Sequence, residues 1–415
     1  MLEMIKAGNE LVEKPSQVDI VDRISNLPWE VLDNILGRLP MDVVAKMSVL
    51  SKKWRNNWRN VSTITLAGER NVRVIYHVLL SHHLHIEKFT LSMLEGSIES
   101  ADLTSWLDFL RRSGIKELTF EFNRTSHLNK TVGFSKLVSL CLTNFLTEAI
   151  VLENLIEGCP LLEKLKLLDF RIWDCLNINA HMLRSCRIEG SFKDVRIKSS
   201  PQLKDAYFNL TLRPGSHEWR EQGVADYLVQ FLGCLSQFKK LTLCGSILKI
   251  WAASRIRGKV IVSCDSLSVL ALLNIGDDDA DQLSALYILL QKASYLKEFS
   301  IKLGSTHHYE RRITDARELF STSTLNFRFD QLRFAKIDMG EVPSRTRRPD
   351  YEWKQEAGVA LIKALFVSSP VLKEMVVKRS NCEVGFLREL LSVERASMDL
   401  LFKYFCSHCS RTFLT

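Results

Sequence analysis

The chain has 415 residues, of which 46% are apolar and 25% charged. That balance excludes wholesale disorder, and only 18 Gly and 9 Pro exclude collagen-like or linker-dominated architectures. Fifty-six basic residues against 48 acidic ones leave a net charge of +8, a mild excess that leans toward acidic partners without marking a nucleic-acid binder.

The length predicts two to three domains. No apolar run approaches the roughly 18 residues of a spanning helix. The polar opening MLEMIKAGNELVEKPSQV lacks the apolar centre of a secretory signal. The expectation is therefore a location in the nucleus and/or cytoplasm, with no membrane partner. Ten scattered cysteines without a secretory signal read as reduced, mostly buried thiols.

Residues 1–18 read as a flexible leader. From Asp19 the texture becomes helical. Pro28 suits the first turn of a helix, and Val31, Leu32, Ile35, Leu36 and Leu39 come after it at helical spacing. Pro40 stops that helix. Asp42 suits the start of a second, which carries Val43, Val44, Met47 and Val49. A third begins near Ser51 and carries Trp54 and Trp58. Three helices in about 40 residues make a core too small to stand alone, so the unit is expected to dock on a partner or on the neighbouring domain.

The remainder repeats an LxxLxL-like phrase. It reads IEKFTL at 86, IKELTF at 115, LVSLCL at 137, LEKLKL at 162 and LRSCRI at 183. LKDAYF comes at 203, FKKLTL at 238, LSVLAL at 267, LKEFSI at 296, LRFAKI at 332 and LKEMVV at 372. The mean interval is about 29 residues, at the upper edge of the leucine-rich range. Each phrase predicts a short strand with alternate apolar residues turned inward. Helical periodicity fills the stretches at 103–110, 149–156, 219–235, 281–293 and 351–367. Strand, crossover and next strand predict a parallel sheet on a concave face with helices outside.

The phrases at the front resemble a known family. Ile24-Ser-Asn-Leu27-Pro28, Leu32-x-x-Ile35-Leu36-x-x-Leu39-Pro40 and Ser48-Val-Leu-Ser51-Lys-Lys-Trp54-Arg55 occur in the order and spacing of an F-box. GCPLLEKLKLLDF, SSPVLKEMVVK and, near the end, ELLSVERAS are similar to phrases of the plant F-box/FBD/LRR-repeat proteins. Trp29 departs from the family's usual Asp or Gly. Met41-Asp42-Val43-Val44 is one residue shorter than the common spacing, and the tail after Ser397 no longer matches the family. The resemblance implies an α/β protein: a three-helix F-box over 19–60, an irregular leucine-rich-repeat solenoid over 61–380, and an FBD-like segment with an atypical tail over 381–415. It also implies binding to a Skp-type adaptor and, through it, to a cullin. Leu27, Pro28, Leu32, Ile35, Leu39, Pro40 and Val44 match the positions that usually make the adaptor contact. Trp54 matches a residue that mainly packs the module.

Other constellations carry less. Cys406-Ser-His-Cys409 lacks the second ligand pair of a structural zinc site and reads as incidental thiols. His82-His83-Leu-His85 reads as a solvated turn before a strand. Asp277-Asp-Asp-Ala-Asp281 lacks the Gly and Glu of a calcium loop and reads as acidic complement to the helix from Gln282. The cations Lys46, Lys52, Lys53, Arg55 and Arg59 around Trp54 and Trp58 are nearly balanced by Asp19, Asp22, Glu30, Asp33 and Asp42. Arg345, Arg347 and Arg348 read as a solvated loop. No phosphate loop, nucleophile elbow or HExxH is present in the sequence. The expectation is thus a non-catalytic chain without metal or cofactor. It is read as the subunit that presents a target protein to a ubiquitin ligase. The alternatives are a small-molecule receptor and a repeat scaffold outside any ligase.

Overall fold

The computed structural model describes residues 27–47, 57–69, 71–83, 85–93, 98–129, 133–172, 175–192, 194–210, 237–253, 264–277, 279–304, 320, 327–340, 356–380, 384–406 and 412–414. The leader and the third helix expected from Ser51, with its Trp54, lie outside them, as do Arg345 to Arg348, Cys409 and the stretch 219–235.

Two helices open the described chain, α1 (Trp29–Leu36) and α2 (Met41–Met47). Strand β1 (Thr63–Glu69) comes next, then α3 (Val72–Ser81), β2 (Lys88–Met93), α4 (Ser100–Ser113), β3 (Glu117–Leu128), β4 (Ser139–Thr147) and α5 (Ala149–Glu157). Five strands succeed them: β5 (Lys164–Arg171), β6 (Cys175–Asn179), β7 (Ser185–Ser191), β8 (Asp194–Ser199) and β9 (Asp205–Leu210). Beyond these lie β10 (Lys240–Cys244), α6 (Gly245–Ala253), β11 (Val269–Gly276), α7 (Ala280–Lys292), β12 (Glu298–Gly304) and β13 (Phe334–Asp338). The last elements are α8 (Glu356–Ser368), β14 (Glu374–Arg379), α9 (Val384–Leu391), β15 (Leu401–Cys406) and β16 (Thr412–Leu414).

Among the described residues fourteen strands form one sheet in chain order, omitting β6 and β8, which pair with each other. Every neighbour in the large sheet is parallel except β16, which returns antiparallel on β15. All eleven repeated phrases enter this sheet, and each strand begins two residues into its phrase. The reason is register. Lys88, Glu117, Ser139, Lys164, Ser185, Asp205, Lys240, Val269, Glu298, Phe334 and Glu374 lie side by side, one per strand. Each phrase's opening apolar residue sits two positions earlier, buried ahead of the strand, as Leu137, Leu162 and Leu183 show.

Along each strand alternate side chains are buried, so one face of the sheet joins a continuous core with the inner residues of the helices. Leu165, Leu167, Cys186 and Ile188 are typical. Near the strand ends a ladder of phenylalanines crosses the repeats. Phe122 lies 5.1 Å from Phe145, Phe145 5.8 Å from Phe170, and Phe170 6.4 Å from Phe192. Close to this ladder the backbone turns left-handed at Asn144 and Asp169. Asn144 holds the bend by donating its Nδ2 to the Phe122 carbonyl at 3.1 Å. In β7, Gly190 takes φ 136°, and a Cβ there would collide with the Phe170 carbonyl oxygen. Only glycine fits that approach.

The sequence reading missed β1, α3, α6, α9 and the β6–β8 pair. It expected no particular structure after Ser397, yet Phe402, Tyr404 and Cys406 alternate into the core and extend the sheet past residue 380. The acidic run at 277–281 also does more than complement one helix. Asp279 caps α7 by accepting from the Gln282 amide at 3.1 Å. Asp277 is buried, and its Oδ1 accepts from the amide of Gly358, in the first turn of α8, at 2.9 Å. It is thus an N-terminal cap delivered from 81 residues away. Asp277→Ala is expected to destabilise the protein by about 1–2 kcal/mol, read as a lowered denaturant midpoint.

Candidate docking surface of the N-terminal helices

Helix α1 starts after Pro28, which stands at the N-cap rather than inside the first turn; its carbonyl accepts from the Val31 and Leu32 amides, both at 3.1 Å. The apolar residues of α1 and α2 divide into two sets. Leu32, Leu36, Met41 and Val44 are buried. Val31, Ile35 and Val43 are 43%, 41% and 37% exposed. Val31 and Ile35 are four residues apart and share one outward stripe of α1.

The helices are fixed to the first strand. Asp33 accepts from the Ser62 amide at 2.8 Å and from its hydroxyl at 2.5 Å. A Cβ on Gly37 would come within 3.1 Å of the Thr63 Cβ, so a bare backbone lets the end of α1 approach β1 closely. Beside this contact lies a cleft of about 260 Å³ between α2, β1 and α3, walled by Met41, Ala45, Trp58, Leu66, Val74 and Val78. Trp58 belongs to a short 3-10 turn, and the Arg59 guanidinium lies 5.2 Å from its ring.

The seven residues expected to contact an adaptor are therefore placed differently. Pro28, Ile35 and Pro40 are exposed, and Leu27 and Leu39 are half-buried. Leu32 and Val44 are in the core, at 6% and 3% exposure. Val31 and Val43, read from the sequence as helix residues but not as contacts, also face outward. Trp29, flagged as a departure, is half-buried and packs against the core.

His82 is not in a solvated turn. It is buried, and its Nε2 lies 2.8 Å from the Val61 carbonyl, so that nitrogen carries the hydrogen and donates. Its pKa is lowered from 6.5, chiefly by burial, with the charge on His83 acting the same way; the Val61 bond and Asp33 oppose the shift. The imidazole is thus neutral in the fold where the unfolded chain would protonate it. Below the unfolded value of 6.5 the unfolded state binds the extra proton, so stability falls as pH drops through that value. His82→Gln is expected to flatten the melting temperature between pH 7.5 and about 5.5 relative to the parent, as thermal scans at both pH values would show.

Elsewhere the chemistry is quiet. The seven described cysteines are free thiols; burial pushes Cys159 and Cys264 up to about 11 and Cys186 to about 12. Cys406 is buried in β15. Among the described residues no group of His, Cys, Asp and Glu is arranged to hold a metal, and no helix is long and apolar enough to cross a membrane.

Comparison with known proteins fits this arrangement. The F-box domain family matches residues 24–65, which span α1, α2 and the contact with β1. The family described as FBD-associated F-box protein At5g56370, LRR repeats, matches residues 101–291. The F-box/FBD/LRR-repeat protein At1g13570 of Arabidopsis thaliana is 28% identical over 91% of this chain and 96% of its own. The FBD-associated F-box protein At1g66310 of the same plant is 29% identical over 40% of this chain and 45% of its own. The putative F-box/LRR-repeat protein At3g18150, also of that plant, is 22% identical over 58% and 63%. An F-box joined to leucine-rich repeats is the class of protein that fold and matches define together. Within that class, the chain is similar to the F-box/FBD/LRR-repeat proteins of plants.

Proposed function

We propose that this chain is the target-recognition subunit of a Skp–cullin–F-box ubiquitin ligase, without catalytic residues of its own. The observation that carries the reading is the set of outward apolar residues, Val31 and Ile35 on α1 and Val43 on α2, on helices that already bury a second apolar set. Apolar residues left exposed on the outer side of so short a helix suit a protein partner. The F-box match supports a Skp-type adaptor as that partner, with cullin reached through it. Pro28, Ile35 and Pro40 contact it directly, Leu27 and Leu39 border the contact, and Leu32 and Val44 hold the two helices in shape from beneath. The repeats bind the target, and the ligase's other subunits do the chemistry. This chain contributes proximity and orientation.

Co-expression with a Skp-type adaptor and then size-exclusion chromatography checks the reading. A one-to-one complex that is lost on removing residues 19–60 is the expected result. A folded, monodisperse chain that ignores several adaptors would leave the helices as no more than a cover for β1 and favour a scaffold outside any ligase.

A further inference from the structure

One backbone position ahead of each strand forms its own ladder. The Lys204 amide donates to the Arg184 carbonyl, Lys239 to Lys204, Ser268 to Lys239, Lys297 to Ser268, Arg333 to Lys297 and Lys373 to Arg333, all between 2.8 and 3.0 Å. These bonds set seven consecutive positions side by side along one edge of the sheet. Six of the seven are cationic and none is acidic. Arg184, Lys204, Lys239, Lys297, Arg333 and Lys373 are all exposed. Arg184 leans toward Glu163 at 3.7 Å. Among the described residues, no carboxylate forms an ion pair with the other five.

Single exposed lysines are ordinary. Six cations held in file by a hydrogen-bonded ladder are a directed field. Neighbouring strands stand about 4.8 Å apart, so six steps make a rail about 29 Å long. Like charges at that spacing repel one another, and an anionic partner laid along the rail relieves the repulsion.

The next position on the same strands narrows the choice of partner. It holds Asp205 beside Lys204, Glu298 beside Lys297 and Glu374, itself paired with Lys403 at 2.7 Å, beside Lys373, against one cation, Lys240. A broad polyanion such as a nucleic-acid duplex would press on those carboxylates. The rail also carries no aromatic ring on which an unpaired base could stack. A narrow chain with discrete charges fits. An extended peptide rises about 3.3 Å per residue, so roughly nine residues cover the rail.

The geometry points to a docking site for an extended, acidic segment of a partner protein along Arg184, Lys204, Lys239, Lys297, Arg333 and Lys373. The inference rests on the reading of the repeats as the target-binding part of the chain. Its test does not depend on the adaptor.

The probe is a fluorescent nine-residue peptide rich in glutamate, with a glutamine counterpart and a single-stranded oligonucleotide as comparisons. Anisotropy is read with the full chain. The acidic peptide is expected to bind, to weaken steeply as salt rises from about 0.05 to 0.5 M, and to outdo both comparisons. Lys204→Glu with Lys239→Glu, and separately Lys297→Glu with Lys373→Glu, are each expected to weaken it about tenfold or more. Arg73→Glu with Arg112→Glu, on α3 and α4, should leave it unchanged. Thermal scans accompany each variant, and a pair that melts early is replaced by glutamine at the same positions. Unchanged binding by both rail variants, or equal binding of the glutamine peptide, would overturn the site. An oligonucleotide that binds more tightly and is lost with the rail would reassign it to nucleic acid. Adaptor capture by the rail variants separates the two readings, since it reports on the N-terminal helices alone.

Discussion

Replacing Val31 and Ile35 together by glutamate should abolish adaptor capture while leaving the unfolding of the sheet unchanged. Both side chains are about two-fifths exposed, so they contribute little to the core. In a complex each would lose its remaining contact with water, a gain of about two-fifths of the 1.5–3 kcal/mol that full burial of such a side chain is worth. The substitution removes that gain twice and leaves two carboxylates to be desolvated against an apolar partner. A loss of several kcal/mol is a loss of at least about a hundredfold in affinity. Co-purification and titration calorimetry would read it, beside a thermal scan of the free chain. The companion change Leu32→Glu separates the two roles of the helix. Leu32 is buried, so that variant should lower the melting temperature as well. Retained capture by the Val31 and Ile35 variant would move the contact to another face.

Phe145→Ala is expected to destabilise the sheet by about 3–5 kcal/mol. Phe145 is almost wholly buried and stands between the rings of Phe122 and Phe170. Its removal opens a cavity and ends two ring contacts, one with each neighbouring repeat. Stacked repeats are stabilised chiefly by adjacent ones, so the damage should be local in space but felt on both sides. Denaturant unfolding should show a lower midpoint. Hydrogen exchange should accelerate first in β3, β4 and β5, with β12 to β14 less affected. A change below about 1 kcal/mol would mean that the ladder repacks around the gap.

The eleven strand phrases were legible because each alternates apolar and polar residues after a fixed apolar start. That alternation has a single physical use in a half-buried strand. Helix α3 was harder. VRVIYHVLLS is rich in β-branched residues and gives a mixed signal. The β6–β8 pair, CLNIN and DVRIKS, does alternate, but each segment is only five or six residues long with two inward apolar residues and lacks the apolar start that marks the repeated phrases. At the N-terminal helices the period announced helices but not which stripe faces inward. Val31, Leu32, Ile35 and Leu36 are apolar on adjoining sides, so sequence alone could not separate the core set from the outward set. Asp277 and Asp33 illustrate the other limit. Their partners, Gly358 and Ser62, are remote in sequence, and nothing in the local pattern names them.

The two ends of the large sheet are unlike. One is held by α1 and α2 through Asp33 and Gly37, and at the other β16 runs back against β15. Among the described residues, the helices pack beside β1 and the antiparallel β16 covers β15, an arrangement that disfavours edge-to-edge pairing of copies. A repeat added between these two ends would enter the interior of the stack. Each unit gained there would carry the C-terminal strands about 4.8 Å farther from the N-terminal helices. Repeat number would then act as a ruler, setting how far from the helices a bound partner is held.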